Sequence, residues 1–214
     1  MNAIQTLAIS ALPVIFAITL HEAAHGYVAR HFGDPTAWQL GRISLNPLRH
    51  IDPIGTVLVP AMILLVSSGA LLFGWAKPVP VNFGRLRRPK QDMLWVAAAG
   101  PGANLLMALA WGLLLKFVVV SPEFAYGAAL AEMAKVGIQI NGVLMLLNLL
   151  PLPPLDGGRI AVSLLPSNLA WKFAQIERFG LPIMLLLLFT HVLDDILRPL
   201  LQLFYSLISA IFGF

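Results

Sequence analysis

Apolar residues run along this chain in long blocks, and polar residues gather where the blocks end. The first block, Ile4 to Arg30, predicts one helix of about 40 Å at 1.5 Å per residue, enough to cross a bilayer. Its last third turns polar, with His21, Glu22 and His25. A loop rich in turn signals follows (Gly33-Asp34-Pro35, Asn46-Pro47, Asp52-Pro53), and then an apolar stretch from Ile54 to Trp75 that Pro60, Ser67, Ser68 and Gly69 interrupt. Met93 to Val120 and Val136 to Leu150 predict two further spans, joined by a short linker holding Glu123 and Glu132. The second ends at Pro151-Leu152-Pro153-Pro154, and a polar stretch, Asp156 to Gly180, separates it from two C-terminal apolar runs. These runs, Leu181 to Phe189 and Leu200 to Phe214, flank Asp194, Asp195 and Arg198. A hairpin is expected there, because one straight helix would put that charged cluster near mid-bilayer.

Composition agrees with the pattern. Of the 214 residues 58% are apolar and only 11% charged, against about a quarter charged in soluble domains. This excludes a disordered chain and a conventional water-soluble enzyme, and predicts an all-α polytopic membrane protein. About five transmembrane helices and a re-entrant segment around 54–75 are expected, with residues 1–214 as a single integral-membrane domain. The N-terminal block lacks a basic start and a small-residue cleavage site, so it reads as a retained span and not as a signal peptide. The net charge of +4 comes from Lys and Arg placed in loops between apolar runs, which is the membrane pattern and not that of a nucleic-acid partner. With no Cys, a bound metal must rest on His and carboxylates.

The chemistry is concentrated in His21-Glu22-Ala23-Ala24-His25. On a helix, positions four apart share a face, so both imidazoles can reach one ion while Glu22 lies beside it as a proton acceptor for water. Ionisable residues inside a span are expensive, and a cluster of them is by default functional. A catalytic zinc site usually has three protein ligands, and Asp156 stands out as the third. It follows a span in Asn148-Leu149-Leu150-Pro151-Leu152-Pro153-Pro154-Leu155-Asp156-Gly157-Gly158-Arg159, where prolines fix the direction of the chain and the glycine pair permits a tight turn. Taken alone, Asp156 would read as a cap on the following helix. His31, His50 and His191 read as loop or interface histidines.

These motifs, HEAAH at 21–25, AGPGAN at 99–104 and NLLPLPPLDGGR at 148–159, resemble the site-2 proteases, intramembrane zinc metalloproteases, in the short, compact branch without a PDZ or CBS domain. The resemblance implies one zinc ion held by His21, His25 and Asp156, with Glu22 as the catalytic carboxylate and Asn148 contacting the substrate or its oxyanion. The implied substrate is a membrane protein, cut in or near a transmembrane segment. The AGPGAN stretch by itself suggests close helix packing, and the stretches at 41–55 and 73–82 match the compact branch without an assignable chemistry. The competing function is a transporter or non-catalytic metal-binding membrane protein using the same residues.

A shared ion constrains topology. If His21, His25 and Asp156 meet, the C-terminal ends of the first span and of the span ending at Leu150 lie on one side of the bilayer. The two spans from Met93 to Leu150 already supply two crossings, so Ile54 to Trp75 cannot be a simple third. It is expected to enter and leave on one face, buried in protein or lining a wet cavity. Eleven of the 14 basic residues then fall on one side, and the positive-inside bias places the active site towards the cytoplasm, in a bacterial inner or archaeal cell membrane. With their irregular backbone, the re-entrant segment and the proline-rich loop could also bind an unwound substrate strand by edge pairing, at Val79 or Val81. Cysteines placed in the turn around position 34 and at position 87 are expected to be labelled by an impermeant thiol reagent from the same face; labelling from opposite faces would restore the simple crossing.

Overall fold

The computed structural model describes residues 3–66, 74–120 and 126–214, and no strand occurs among them. Among the described residues, four helices are long and apolar enough to cross a membrane: α1 (Ala3–His31), α4 (Pro89–Val120), α5 (Gly127–Asn148) and α9 (Val192–Phe212). Between them lie α2 (Thr36–Gln39), α3 (Val59–Val66), α6 (Asp156–Leu164), α7 (Ser167–Ala174) and α8 (Gly180–Phe189). The chain is an all-α polytopic membrane protein. In hydrocarbon a helix satisfies its own backbone groups, so apolar runs of this length have no cheaper conformation.

Helices α1, α4 and α5 pack on one another, and α9 closes against α4 and α5. Ala108, Leu115, Ala134, Ile138, Phe204 and Ile208 form the core between α4, α5 and α9. Its alanines let the backbones approach, as dispersion packing between helices in lipid requires. The outward faces carry exposed Leu106, Leu113, Phe117, Leu203 and Leu207, as lipid-facing surfaces should.

The C-terminal region differs from the expectation of five spans. α8 has only 10 residues, about 15 Å of helix, too short to cross. The chain breaks at Thr190 and at His191, which adopts a left-handed conformation (φ 60°), and Asp194 and Asp195 fall in the first turn of α9. The acidic pair therefore sits at a helix N-terminus, where the dipole favours negative charge. α5 also begins earlier than its hydropathy suggested. The alanine-rich 127–135 segment is helical, and Glu132, expected in a linker, pairs with Lys135 one turn on (2.6 Å).

The segment expected to re-enter starts with a wide helical turn, Pro53–Leu58, and continues into α3. Asp52 caps the turn, its carboxylate accepting the amides of Ile54 (2.9 Å) and Gly55 (2.7 Å). Residues 67–73, in the middle of the expected re-entrant segment, lie outside the described residues. The two ends are joined. Trp75 N–H donates to Gly55 O (3.0 Å), the Thr56 hydroxyl donates to Trp75 O (2.9 Å), and Lys77 N–H donates to His50 O (2.8 Å). Residues 75–77 thus lie against residues 50–56.

The same end of the molecule carries the loops after α1 and before α4. Arg87 N–H donates to Phe32 O (3.0 Å), and Leu86 packs with Ala29 and Val96. Asp34 is the tie between them. Its wholly buried carboxylate accepts the Thr36 hydroxyl (2.5 Å), the Thr36 amide (3.0 Å) and the Asn82 amide (2.6 Å). Burial pushes this carboxyl's pKa up, but the hydrogen bonds and the charge of Arg85 outweigh it and hold the pKa below its ordinary value of 3.8. Asp34→Asn is expected to cost about 1–3 kcal/mol of stability at neutral pH. Because the folded-state pKa is depressed, the deficit is full above the unfolded value and fades as pH falls through the folded one. Thermal unfolding of both proteins in detergent from pH 7 to pH 3 checks this.

Candidate metal centre and active site

His21 and His25 face one way from the polar third of α1, and the start of α6 comes to meet them. Asp156 Oδ2 lies 3.2 Å from His21 Nε2 and 3.3 Å from His25 Nε2, and the two Nε2 atoms are 3.1 Å apart. All three side chains are buried. The three residues predicted as ligands are therefore brought together.

The far side of each ring decides what occupies that triangle. His25 Nδ1 faces the backbone oxygen of Val96 (2.7 Å), and His21 Nδ1 faces Asn104 Oδ1 (2.5 Å). Both partners only accept, so both Nδ1 atoms carry the proton and both Nε2 atoms present lone pairs. The Asp156 carboxylate forms the third corner of the triangle. Its Oδ2 is buried without a hydrogen-bond partner. Three lone pairs thus converge with no proton among them, an arrangement that calls for a cation. A tetrahedral ion with ligands at about 2.0–2.1 Å has edges of about 3.3–3.4 Å, close to the edges found here. Two imidazoles and a carboxylate fit zinc in a three-ligand site.

Local sequence explains how Asp156 gets there. It is the first residue of α6 and makes no capping hydrogen bond, so the reading as a helix cap fails. The glycine pair does not serve a turn either. Gly157 and Gly158 are helical, and a Cβ on them would overlap the carbonyls of Leu149 and Leu150 and the backbone at Leu152–Pro153. They are small so that the proline loop can fold back onto the first turn of α6 and aim Asp156 at α1.

Glu22 is half-buried beside the histidines, and its Oε2 accepts the backbone N–H of Val79 (2.7 Å) from the extended stretch before α4. This corrects the idea that Val79 is free to pair with a substrate strand. The amides of Lys77, Val79 and Asn82 are committed to His50 O, Glu22 and Asp34. Asn148 ends α5, half-buried, with its Nδ2 donating back to Leu144 O (2.9 Å). His50 is buried but donates to Ser44 O (2.9 Å) and is not in the metal group, while His191 is exposed and pairs with Asp194 (3.1 Å).

A Bacillus subtilis (strain 168) protein named "Putative zinc metalloprotease YwhC" is 40% identical over 194 residues, covering 89% of this chain and 84% of its own length. The chain belongs to the site-2 protease family. Proteins named "Putative zinc metalloprotease Rip2" are similar at 30% identity in Mycolicibacterium smegmatis and 27% in Mycobacterium tuberculosis (strain H37Rv), each over 84% of this chain and 66% of the relative. No family model and no solved structure matches the chain.

Sequence reasoning missed the residues behind the candidate ligands of this site-2 protease. AGPGAN suggests packing and the family but no role at the site, yet it supplies Asn104 to His21 and Gly100 to both rings. The signal was present, since an asparagine in an apolar span demands a partner. A Cβ on Gly100 would lie 2.6 Å from His21 Nε2 and nearer still to His25 Nε2. Gly100→Ala is expected to remove metal binding, because the α4 backbone is fixed and only the imidazoles can give way. Elemental analysis of the purified variant, with helicity by circular dichroism as the folding control, checks it.

Proposed function

We propose that the protein is a zinc endopeptidase that hydrolyses a peptide bond in or near a transmembrane segment of a membrane protein. The observation that carries this reading is the proton-free triangle of His21, His25 and Asp156 with Glu22 one residue from a ligand on the same helix. The names of the similar proteins support zinc and proteolysis. The setting in a bundle of four candidate spans supports a substrate within the bilayer.

When bound, zinc supplies Lewis acidity, lowering the pKa of water and polarising a carbonyl. His21, His25 and Asp156 hold the ion. Glu22 takes the proton from the attacking water and returns it to the leaving amine, a role that needs a carboxylate within reach and correctly aimed. The Val79 amide fixes that aim by holding Oε2 and leaving Oε1 for the proton. Asn148, resting on its own helix at the end of α5, is the donor that turns to the substrate carbonyl. A substrate helix hides its carbonyls in its own hydrogen bonds and unwinds locally before attack. Its strand seats beside the 74–82 stretch through the Val81 backbone.

The domain acts as one unit over residues 1–214. Most basic residues belong to the loops on the active-site end, so that end faces the cytoplasm across a bacterial or archaeal plasma membrane.

Zinc per chain, measured in wild type, Asp156→Ala and Glu22→Gln, followed by cleavage of a membrane-embedded substrate, tests this reading. Wild type should hold about one zinc, Asp156→Ala should lose it, and Glu22→Gln should keep it while turnover falls by about 10²–10⁴-fold. Metal-free, folded wild type, or a Glu22→Gln variant of undiminished function, would favour a metal-binding protein or transporter instead.

A further inference from the structure

The two imidazoles are oriented by groups of different kind. His25 donates to a main-chain carbonyl, which can only accept. His21 faces a primary amide, which can present either an oxygen or an NH₂ group depending on its rotation about the last side-chain bond. Something must decide which end of Asn104 points at His21, because the wrong end would reverse the ring's tautomer and put a proton on Nε2.

The decision is made on the far side. Asn104 Nδ2 donates to Ala17 O (3.2 Å) and to Asn141 Oδ1 (2.9 Å), and Asn141 Nδ2 donates to Gly137 O (2.8 Å). Both asparagines are wholly buried, so solvent cannot substitute for a lost partner. The last acceptor, Gly137 O, is main chain and has no alternative role. It orients the amide of Asn141, whose oxygen orients the amide of Asn104, whose oxygen selects the Nδ1–H form of His21. Flipping Asn104 alone would set its oxygen against Ala17 O and Asn141 Oδ1. Flipping Asn141 would set an oxygen against Gly137 O. Each such acceptor pair, buried and unsatisfied, is strongly disfavoured.

We propose that Asn104 and Asn141 are positioning residues acting in series, a two-amide relay from α5 through α4 to α1 that fixes the tautomer of His21 and so keeps its Nε2 lone pair available to zinc. The inference rests on the zinc reading above and adds that a residue with no hydrogen bond to any ligand, Asn141, tunes the metal affinity. The two ligand histidines thereby differ in kind: substitution can release His21, whereas no side-chain change removes the carbonyl that holds His25.

The test compares the full chain in detergent as wild type, Asn104→Leu, Asn141→Leu and the double variant, leucine being a branched apolar replacement of similar shape. Zinc affinity is read by competition with a chromogenic chelator, and the His21 tautomer by imidazole ¹⁵N shifts of the metal-free protein. Asn104→Leu should weaken zinc binding by about 10–100-fold, the range for lost partners of ligating histidines. Asn141→Leu should weaken it less, and the double variant should be no worse than Asn104→Leu, since elements in series are not additive. Wild-type His21 should be protonated at Nδ1, and both single variants should show a tautomer mixture at His21 with His25 unchanged. Unchanged affinity in Asn141→Leu, or losses that add in the double variant, would overturn the relay. Should Asn104→Leu not fold, Asn141→Leu decides alone. If wild type binds no zinc the functional reading falls, while the tautomer measurement still judges the relay.

Discussion

Three lone pairs and no proton meet at the centre of this bundle, and that convergence constrains nearly everything around it. His21 Nε2, His25 Nε2 and Asp156 Oδ2 repel one another at 3.1–3.3 Å unless a cation lies among them. Holding them there takes acceptors behind both rings, a glycine where α4 passes in front of them, and a proline loop folded onto α6 so that its first residue points at α1. None of these is independent of the others. Gly100 admits the rings only because the α4 backbone runs close to α1, and that same closeness brings Val96 O and Asn104 to their Nδ1 atoms.

Polarity inside a membrane protein is expensive wherever it is left unpaired. The bundle meets this cost by linking its polar groups into closed chains. From His21 the hydrogen bonds pass through two buried asparagines and end on main-chain oxygens at Ala17 and Gly137. Buried Asp34 likewise gathers three donors and ties the turn after α1 to the approach of α4. The site and the fold are stabilised by the same kind of interaction, so the residues that orient ligands also lock helices together.

Glu22 is held differently from the candidate ligands. Its carboxylate is half-buried, and its hydrogen-bond donor comes from the extended 74–82 stretch and not from the helical bundle. That stretch returns from the 54–75 segment and is fastened at its start to Gly55, Thr56 and His50. The candidate metal-binding group thus belongs to the helices, while Glu22 is held by an irregular segment.

Read alone, the sequence determined the class of the protein and singled out its candidate reactive groups. Long apolar blocks have only one conformation open to them in lipid, and a His-x-x-x-His spacing on a helix presents both rings to one point whatever else surrounds them. A shared ion would require the 54–75 segment to return to its own side, and hydrogen bonds join Trp75 to Gly55 and Thr56. Local pattern was weaker where amphiphilic and apolar runs shorten: α8 proved too short to cross, and alanine extended α5 beyond its hydropathy. Only the tertiary structure decided which polar groups stand behind the ligands. Asn104, Asn141, Val96 and Gly100 act through contacts between α1, α4 and α5, and a main-chain carbonyl or a missing Cβ leaves no mark in a sequence until the helix it faces is known.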